Sequence, residues 1–423
     1  MKSKVKKAGR SNDESGTTAA IDIKQAPQDR ACELIKSGNI EILQKLLSDD
    51  KTLIHQFHSK SGKSLLSIAA EEGSIEAVKL LTSSGFDMTL TDKTGIPPIL
   101  YAAKFGYNTV VEHLAKLSSI DITESTKSEN ALMYACRCSQ RDTANLMINL
   151  GISLAHRDWS GDDALLVALK YQCFDIAKRL IDKGCSINTK SATNGNTALI
   201  RCAFDNREDS LDFILSCDGV EIDAKNFNDE TGLIVASRGG NLSIISKLLQ
   251  HNANVDLSDS VGRTALFVAV AGRKEAAMDL LLNGSADVNI VDVFGVSPLM
   301  LAVQRQSSEA VIEKLLSKGA YINATDKCFN TALMYACMQG FEACISLLLL
   351  CGADSSLVNI DDKSAADLLP SPELKSFFLT AASAAAVSAE TDTGTAMNNN
   401  YQGYESESGS AKNVCMYVCM YCL

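Results

Sequence analysis

The sequence predicts an all-α solenoid of paired antiparallel helices joined by short β-hairpin-like fingers. Three observations carry this. An anchor residue, most often Gly, recurs at positions 62, 95, 128, 161, 195, 229, 262, 295, 329 and 362, at intervals of 33 or 34 residues. Every anchor leads into a similar block, fullest in Gly262-Arg-Thr-Ala-Leu-Phe-Val-Ala and Phe329-Asn-Thr-Ala-Leu-Met-Tyr-Ala. An apolar run such as Ala277-Met-Asp-Leu-Leu-Leu follows, then a closing motif such as Ser285-Ala-Asp-Val-Asn. A unit this short buries its faces only against its neighbours, so a fixed period implies stacking into a solenoid.

Each element follows in chain order. Residues 1–28 open on the basic run Met1-Lys-Ser-Lys-Val-Lys-Lys, are polar and aperiodic, and are expected to be disordered. The repeat array is expected over 29–379, as ten to eleven units with degenerate ends. Cys32 to Leu47 reads as a degenerate helix pair without the Thr-Ala-Leu block, suited to cap one end of the array. In internal units Ser64, Thr197, Thr231, Thr264, Ser297 and Thr331 stand two residues past an anchor, where a hydroxyl can cap the first helix. That helix is short and Ala-rich. The second presents aliphatic residues at i, i+3 and i+4, as in Ala310-Val-Ile-Glu-Lys-Leu-Leu, and ends at Gly85, Gly151, Gly184, Gly319 or Gly352. Asn252 lies near where such a Gly is expected, and Asp229 and Phe329 replace the anchor Gly, which predicts distorted fingers there. One-residue insertions fall within 188–195 and 217–229, where loops are expected. The last unit, Asp362-Lys-Ser-Ala-Ala-Asp-Leu-Leu, is expected to lack a full second helix because Pro370 and Pro372 interrupt it. Glu373-Leu-Lys-Ser-Phe-Phe-Leu is expected to lay a final apolar face over the array. Residues 380–423 read as a flexible tail.

The anchor-Thr-Ala-Leu block, the Gly-terminated helices and the 33-residue period resemble the ankyrin repeat family over roughly residues 29 to 379. Pro298 in Ser297-Pro-Leu-Met keeps the family's Thr-Pro-Leu-His proline, and Pro97 a variant of it; its His is absent throughout. Ile200, Phe267, Met300 and Met334 stand in that place, which resembles the Thr-Ala-Leu-Met style frequent in protist ankyrin arrays. The resemblance implies a non-catalytic protein with a concave binding face made of finger tips and first-helix ends.

Composition narrows the function classes. A chain of 423 residues would ordinarily suggest two or three domains of about 150 residues, but a solenoid grows by stacking. The net charge of −11 argues against a general nucleic-acid binder, which needs a basic face for phosphates. No signal-peptide pattern and no apolar run of ~18 residues is visible; the longest, Ile345 to Cys351, is assigned to a repeat helix. Most of the 14 Cys stand where other units carry Ala, Val or Leu, as Cys136, Cys202 and Cys337 do. These read as reduced thiols, with the cytoplasm or the nucleus as the expected compartment. Cys415-Met-Tyr-Val-Cys-Met-Tyr-Cys has period four, as a translated TGTA tetranucleotide repeat would. Rival readings are palmitoylation at Cys415, Cys419 and Cys422, or a metal clip.

No catalytic constellation, cofactor motif or metal site is expected. The five His are scattered, His55 and His58 have no third ligand nearby, and Cys136-Arg-Cys138 has the wrong spacing for a thioredoxin-like pair. Gly239-Gly240 is a helix link with no Gly-Lys-Ser/Thr after it. Register instead puts Lys104, Phe105, Arg137, Lys170, Tyr171, Phe204 and Arg238 at first-helix ends, and Trp159 and Phe227 at finger tips. Aromatic and Arg side chains at exposed positions are the composition of binding hot spots, with Trp159 foremost. The expected function is a monomeric scaffold or adaptor whose partner is an acidic, partly apolar protein segment. The second reading is a regulatory or targeting subunit of a bound phosphatase, kinase or ubiquitin ligase.

Overall fold

A computed structural model describes residues 26–55, 57–58, 61–117 and 129–391. The basic segment 1–25, the anchor at 128 and the Cys-rich segment from 415 lie outside the described residues. Two compact units form, dividing between Ser153 and Leu154. The first holds α1 (Pro27–Ser37) with α2 (Ile40–Asp49), α3 (Leu65–Glu71) with α4 (Ile75–Ser83), α5 (Pro98–Phe105) with α6 (Asn108–Leu117), and α7 (Ala131–Arg137) with α8 (Arg141–Asn149). The second holds α9 (Ala164–Lys170) with α10 (Phe174–Asp182), α11 (Ala198–Asp205) with α12 (Glu208–Leu215), and α13 (Gly232–Gly239) with α14 (Leu242–Gln250). It continues through α15 (Ala265–Ala271) and α16 (Glu275–Asn283), α17 (Pro298–Gln304) and α18 (Glu309–Ser317), α19 (Ala332–Gln339) and α20 (Glu342–Leu350), then α21 (Pro372–Thr391). No β-strand occurs among the described residues.

The first helices start where the sequence places a cap. The side chains of Ser64, Thr197, Thr231, Thr264, Ser297 and Thr331 each accept a hydrogen bond from the amide three residues on, at 3.1–3.3 Å. Asn130 and Asp163 do the same for α7 and α9, at 3.0 and 2.9 Å. Each cap satisfies an amide that the helix itself leaves unpaired. The Ala-rich helices then stack closely on one another: α3 on α5 and α5 on α7 in the first unit, α11 on α13, α13 on α15 and α17 on α19 in the second. Leu66 and Leu132 in these stacks, and Leu248 and Leu281 on the second helices α14 and α16, are fully buried. None of the described cysteines is in a disulfide; burial pushes the thiols of Cys32, Cys202, Cys337 and Cys344 up to about 12.

The fingers share one turn. A carboxylate or amide oxygen of its first residue accepts from the amides two and four positions later, as Asp92 Oδ1 does from Thr94 and Ile96 at 2.7 and 3.0 Å. Asp158, Asn226, Asp259, Asp292, Asp326 and Asn359 repeat this pattern. Successive fingers are tied by backbone bonds, among them Phe227 N to Asn194 O at 3.1 Å, Val293 N to Val261 O at 2.9 Å and Lys327 N to Phe294 O at 3.0 Å.

Four expectations are corrected. Asp229 and Phe329 do not distort their fingers: they adopt φ of +58° and +61° and close the same turn, their amides reaching Asn226 O and Asp326 O at 3.1 and 2.9 Å. The local hydrogen bonds outweigh the cost of the left-handed conformation. The last unit does not lack its second helix. A 3-10 turn (Ala365–Leu368) replaces the first, and α21 opens at Pro372, where a proline costs nothing because a first-turn amide has no helical acceptor. The same helix carries the chain to Thr391, past the boundary at 380 expected from composition, with Phe378 buried against the array. At the other end α1 begins at Pro27, within the segment expected to be disordered.

Candidate protein-binding face

The floor between each finger and its first helix is lined with charges and hydroxyls that satisfy one another. Arg137 meets Glu129 at 3.0 Å and lies 4.1 Å from the centroid of the Tyr134 ring. Lys63 meets Glu71, and Arg238 meets Glu230, both at 2.5 Å. The Tyr101 hydroxyl donates to Asp92 Oδ2 at 2.5 Å, and the Tyr335 hydroxyl donates to Asp326. Burial tends to raise the Asp92 carboxyl. Hydrogen bonds from Thr94, Tyr101 and the Ile96 amide outweigh it and hold the group below its ordinary value.

Around this floor the residues chosen from register divide into two kinds. In the second unit Trp159 is 66% exposed, Phe204 73% and Phe227 64%, values that separate them from the packed residues beside them. Phe227 leans on the preceding finger so closely that a Cβ on Gly195 would lie 2.5 Å from its ring. Lys170 is half-buried with its ammonium 5.7 Å from the Tyr171 ring centroid, itself half-buried. Arg238 is exposed but already spends its charge on Glu230. In the first unit Phe105 is 41% exposed with the Lys104 ammonium 4.9 Å from its centroid, while Arg137 is half-buried against Glu129. The structure thus gives Lys104, Phe105 and Arg137 to one unit and the other six residues to the other.

Sequence reasoning missed Glu129 and Glu230, the carboxylates that hold two of the proposed arginines. The signal was present: each acid stands eight residues before its Arg, as Lys63 stands before Glu71. His58, considered as a metal ligand, has its Nδ1 2.8 Å from Ser61 Oγ and its Nε2 3.4 Å from Asp29. The side chain of His55 lies outside the described residues. Among the described residues no group of three or more His, Cys, Asp or Glu is disposed to hold a metal ion. No described helix is long and apolar enough to cross a membrane.

Comparison with known proteins agrees with this architecture. A family model described as ankyrin repeats, in three copies, matches residues 30–126, 66–158, 99–191, 154–226, 199–292 and 271–359. YahD of Escherichia coli strain K12, an ankyrin repeat protein by name, is 30% identical over 222 residues, 52% of this chain and 95% of its own. The ankyrin repeat and KH domain-containing protein mask-1 of Caenorhabditis elegans is 28% identical over 229 residues, 54% of this chain. This chain spans only 8% of mask-1's length. An L-asparaginase of Dirofilaria immitis is 24% identical over 152 residues, 36% of this chain and 25% of its own, a partial match. Overlapping matches from residue 30 to residue 359, on a structure of stacked helix pairs, mean that the chain belongs to the ankyrin repeat family.

Proposed function

We propose that this protein is a non-catalytic adaptor that binds an acidic, partly apolar segment of a partner protein. Ankyrin repeats generally mediate protein–protein interaction and are typically not enzymes, so the coarse reading follows from the family. The finer one rests on a single observation: Trp159, Phe204 and Phe227, three large rings more than 60% exposed, occupy finger-tip and helix-end positions of consecutive repeats in one unit. Scattered single exposed apolar residues are ordinary, whereas clustered aromatic ones mark binding surfaces. Lys170 and Tyr171 stand at the end of α9 in the same unit, and Arg238 adds a charge partly neutralised by Glu230. Lys104, Phe105 and Arg137 offer a surface of the same kind in the first unit.

The test is affinity capture with the full chain, identification of what is retained, and repetition with Trp159→Ala/Phe204→Ala. Both side chains are exposed enough to be cut back without opening the core. The double variant is expected to lose the partner with its thermal melt unchanged, while Lys79→Ala, exposed on α4, retains it. Retention of the same partner by the double variant would reject this face. A phosphatase, kinase or ubiquitin ligase among the captured proteins would make the chain a targeting subunit.

A further inference from the structure

We infer that the boundary between the α9–α10 repeat and the α11–α12 repeat is the weak joint of the second unit, where the first repeat detaches from the rest by local opening. The fourth position of the first helix is Ile, Val, Leu or Tyr in every other internal repeat, but Arg201 in α11. Its guanidinium reaches across the boundary to Asp162 Oδ2 at 2.7 Å, and Asp162 is fully buried. Burial pushes the Asp162 carboxyl up even against the nearby Arg201 charge, so the pair does not fully offset its own desolvation.

Packing agrees. Helices α9 and α11 meet sparsely, whereas α11 and α13, or α13 and α15, are closely joined. A small gap bordered by Leu166, Leu169, Ala198 and Cys202 opens beside Arg201, where an aliphatic side chain would otherwise fill the seam. Beside the stacked Phe174 and Phe213 rings of α10 and α12, 5.2 Å apart, much of what crosses the boundary is polar. Ala192 N donates to Gly161 O at 2.9 Å, Arg157 Nη1 to Lys190 O at 2.8 Å, Thr193 Oγ1 to Ser160 O at 2.6 Å, and Arg207 to Lys170 O. Such bonds exchange for water at small net cost, while apolar contacts do not. In a solenoid, stability is a sum of repeat and neighbour-interface contributions, so the poorest interface opens first. Trp159, Lys170 and Tyr171 lie on one side of this joint and Phe204, Phe227 and Arg238 on the other. If the proposed binding face is right, opening takes it apart and a bound partner holds it closed.

The test is hydrogen–deuterium exchange of the full chain, read by mass spectrometry without any partner, so that it stands or falls separately from the binding face. Amides of α9 and α10 are expected to exchange at least tenfold faster than those of α13 to α16. In Asp162→Val/Arg201→Val, which installs the residue types found at these positions in other repeats, α9–α10 exchange should slow at least tenfold with α17–α20 unchanged. Wild-type protection in α9–α10 equal to that in α13–α14, or no slowing in the double variant, would overturn the inference. Should that variant not fold, Arg201→Lys keeps a charge but loses the planar fork. Faster exchange confined to α9–α10 then supports the joint, and a uniform change across α9–α20 refutes it.

Discussion

At the described finger anchors the backbone turns through positive φ whatever residue is present, and the consequence differs with what stands nearby. Gly262 has φ of +83°, and a Cβ there would lie 3.0–3.1 Å from backbone atoms of Asp292 and Val293 in the next finger. Gly262→Ala therefore combines strain with a clash against backbone and is expected to cost roughly 1–3 kcal/mol in denaturant melts. Asp229 already adopts a φ of +58°, so Asp229→Gly should stay within about 1 kcal/mol of wild type. Core leucines behave otherwise. Leu248 and Leu281 are fully buried, and truncation of either to Ala should cost roughly 2–5 kcal/mol. Tyr101→Phe removes a hydrogen bond to a carboxylate held below its ordinary value, at a cost of roughly 1.5–3 kcal/mol near neutral pH. A depressed pKa means the folded state favours the charged form. The loss should therefore be largest above the unfolded carboxylate pKa and shrink as acid protonates Asp92. A Tyr101→Phe penalty that is constant from pH 7 to acid would contradict this.

Among the elements, those governed by short-range rules were legible in the sequence. The anchor period, the Ser and Thr caps, and the Gly-ended second helices of α4, α8 and α18 follow from backbone needs that one or two residues meet. Asn252, flagged in place of such a Gly, adopts φ of +60° as the position requires. What was not legible depends on neighbours. The turns at Asp229 and Phe329 are held by Asn226 and Asp326 and by the adjoining finger, so an unusual anchor residue says little. Helix α21 is driven by the exposed end of α20, on which it packs, more than by its own pattern; the two prolines suggested an ending where one is a start. Truncation after Pro370 should thus lower the melting temperature by several degrees by uncovering α20, whereas truncation after Thr391 should leave it unchanged. Equal melts for the two truncations would deny α21 its capping role.

At the level of the whole molecule, regular stacking within each unit explains stability, and in the proposed reading function falls to what the fingers and helix ends expose. The sequence placed Trp159, Phe204 and Phe227 on that exposed edge by register alone. It did not foresee that Glu129 and Glu230 would hold Arg137 and Arg238, because pairs eight residues apart meet only once the finger folds back on its helix. In the proposed binding, the basic contribution accordingly falls on Lys104 and Lys170. Charges of this kind act mainly through the association rate and are screened over ~10 Å at 0.1 M salt. Lys170→Ala should slow association severalfold at low salt, lose that effect at high salt, and leave dissociation nearly unchanged in surface-binding kinetics.

The central claim is that the exposed rings of the second unit serve binding and not folding. Its most direct test is the equilibrium affinity of the captured partner for wild type and for Trp159→Ala/Phe204→Ala, measured beside their thermal melts. If each ring is a hot spot of about 2 kcal/mol, affinity should fall roughly a thousandfold with the melting temperature unmoved. Unchanged affinity, or a loss that tracks a lowered melting temperature, would contradict the claim.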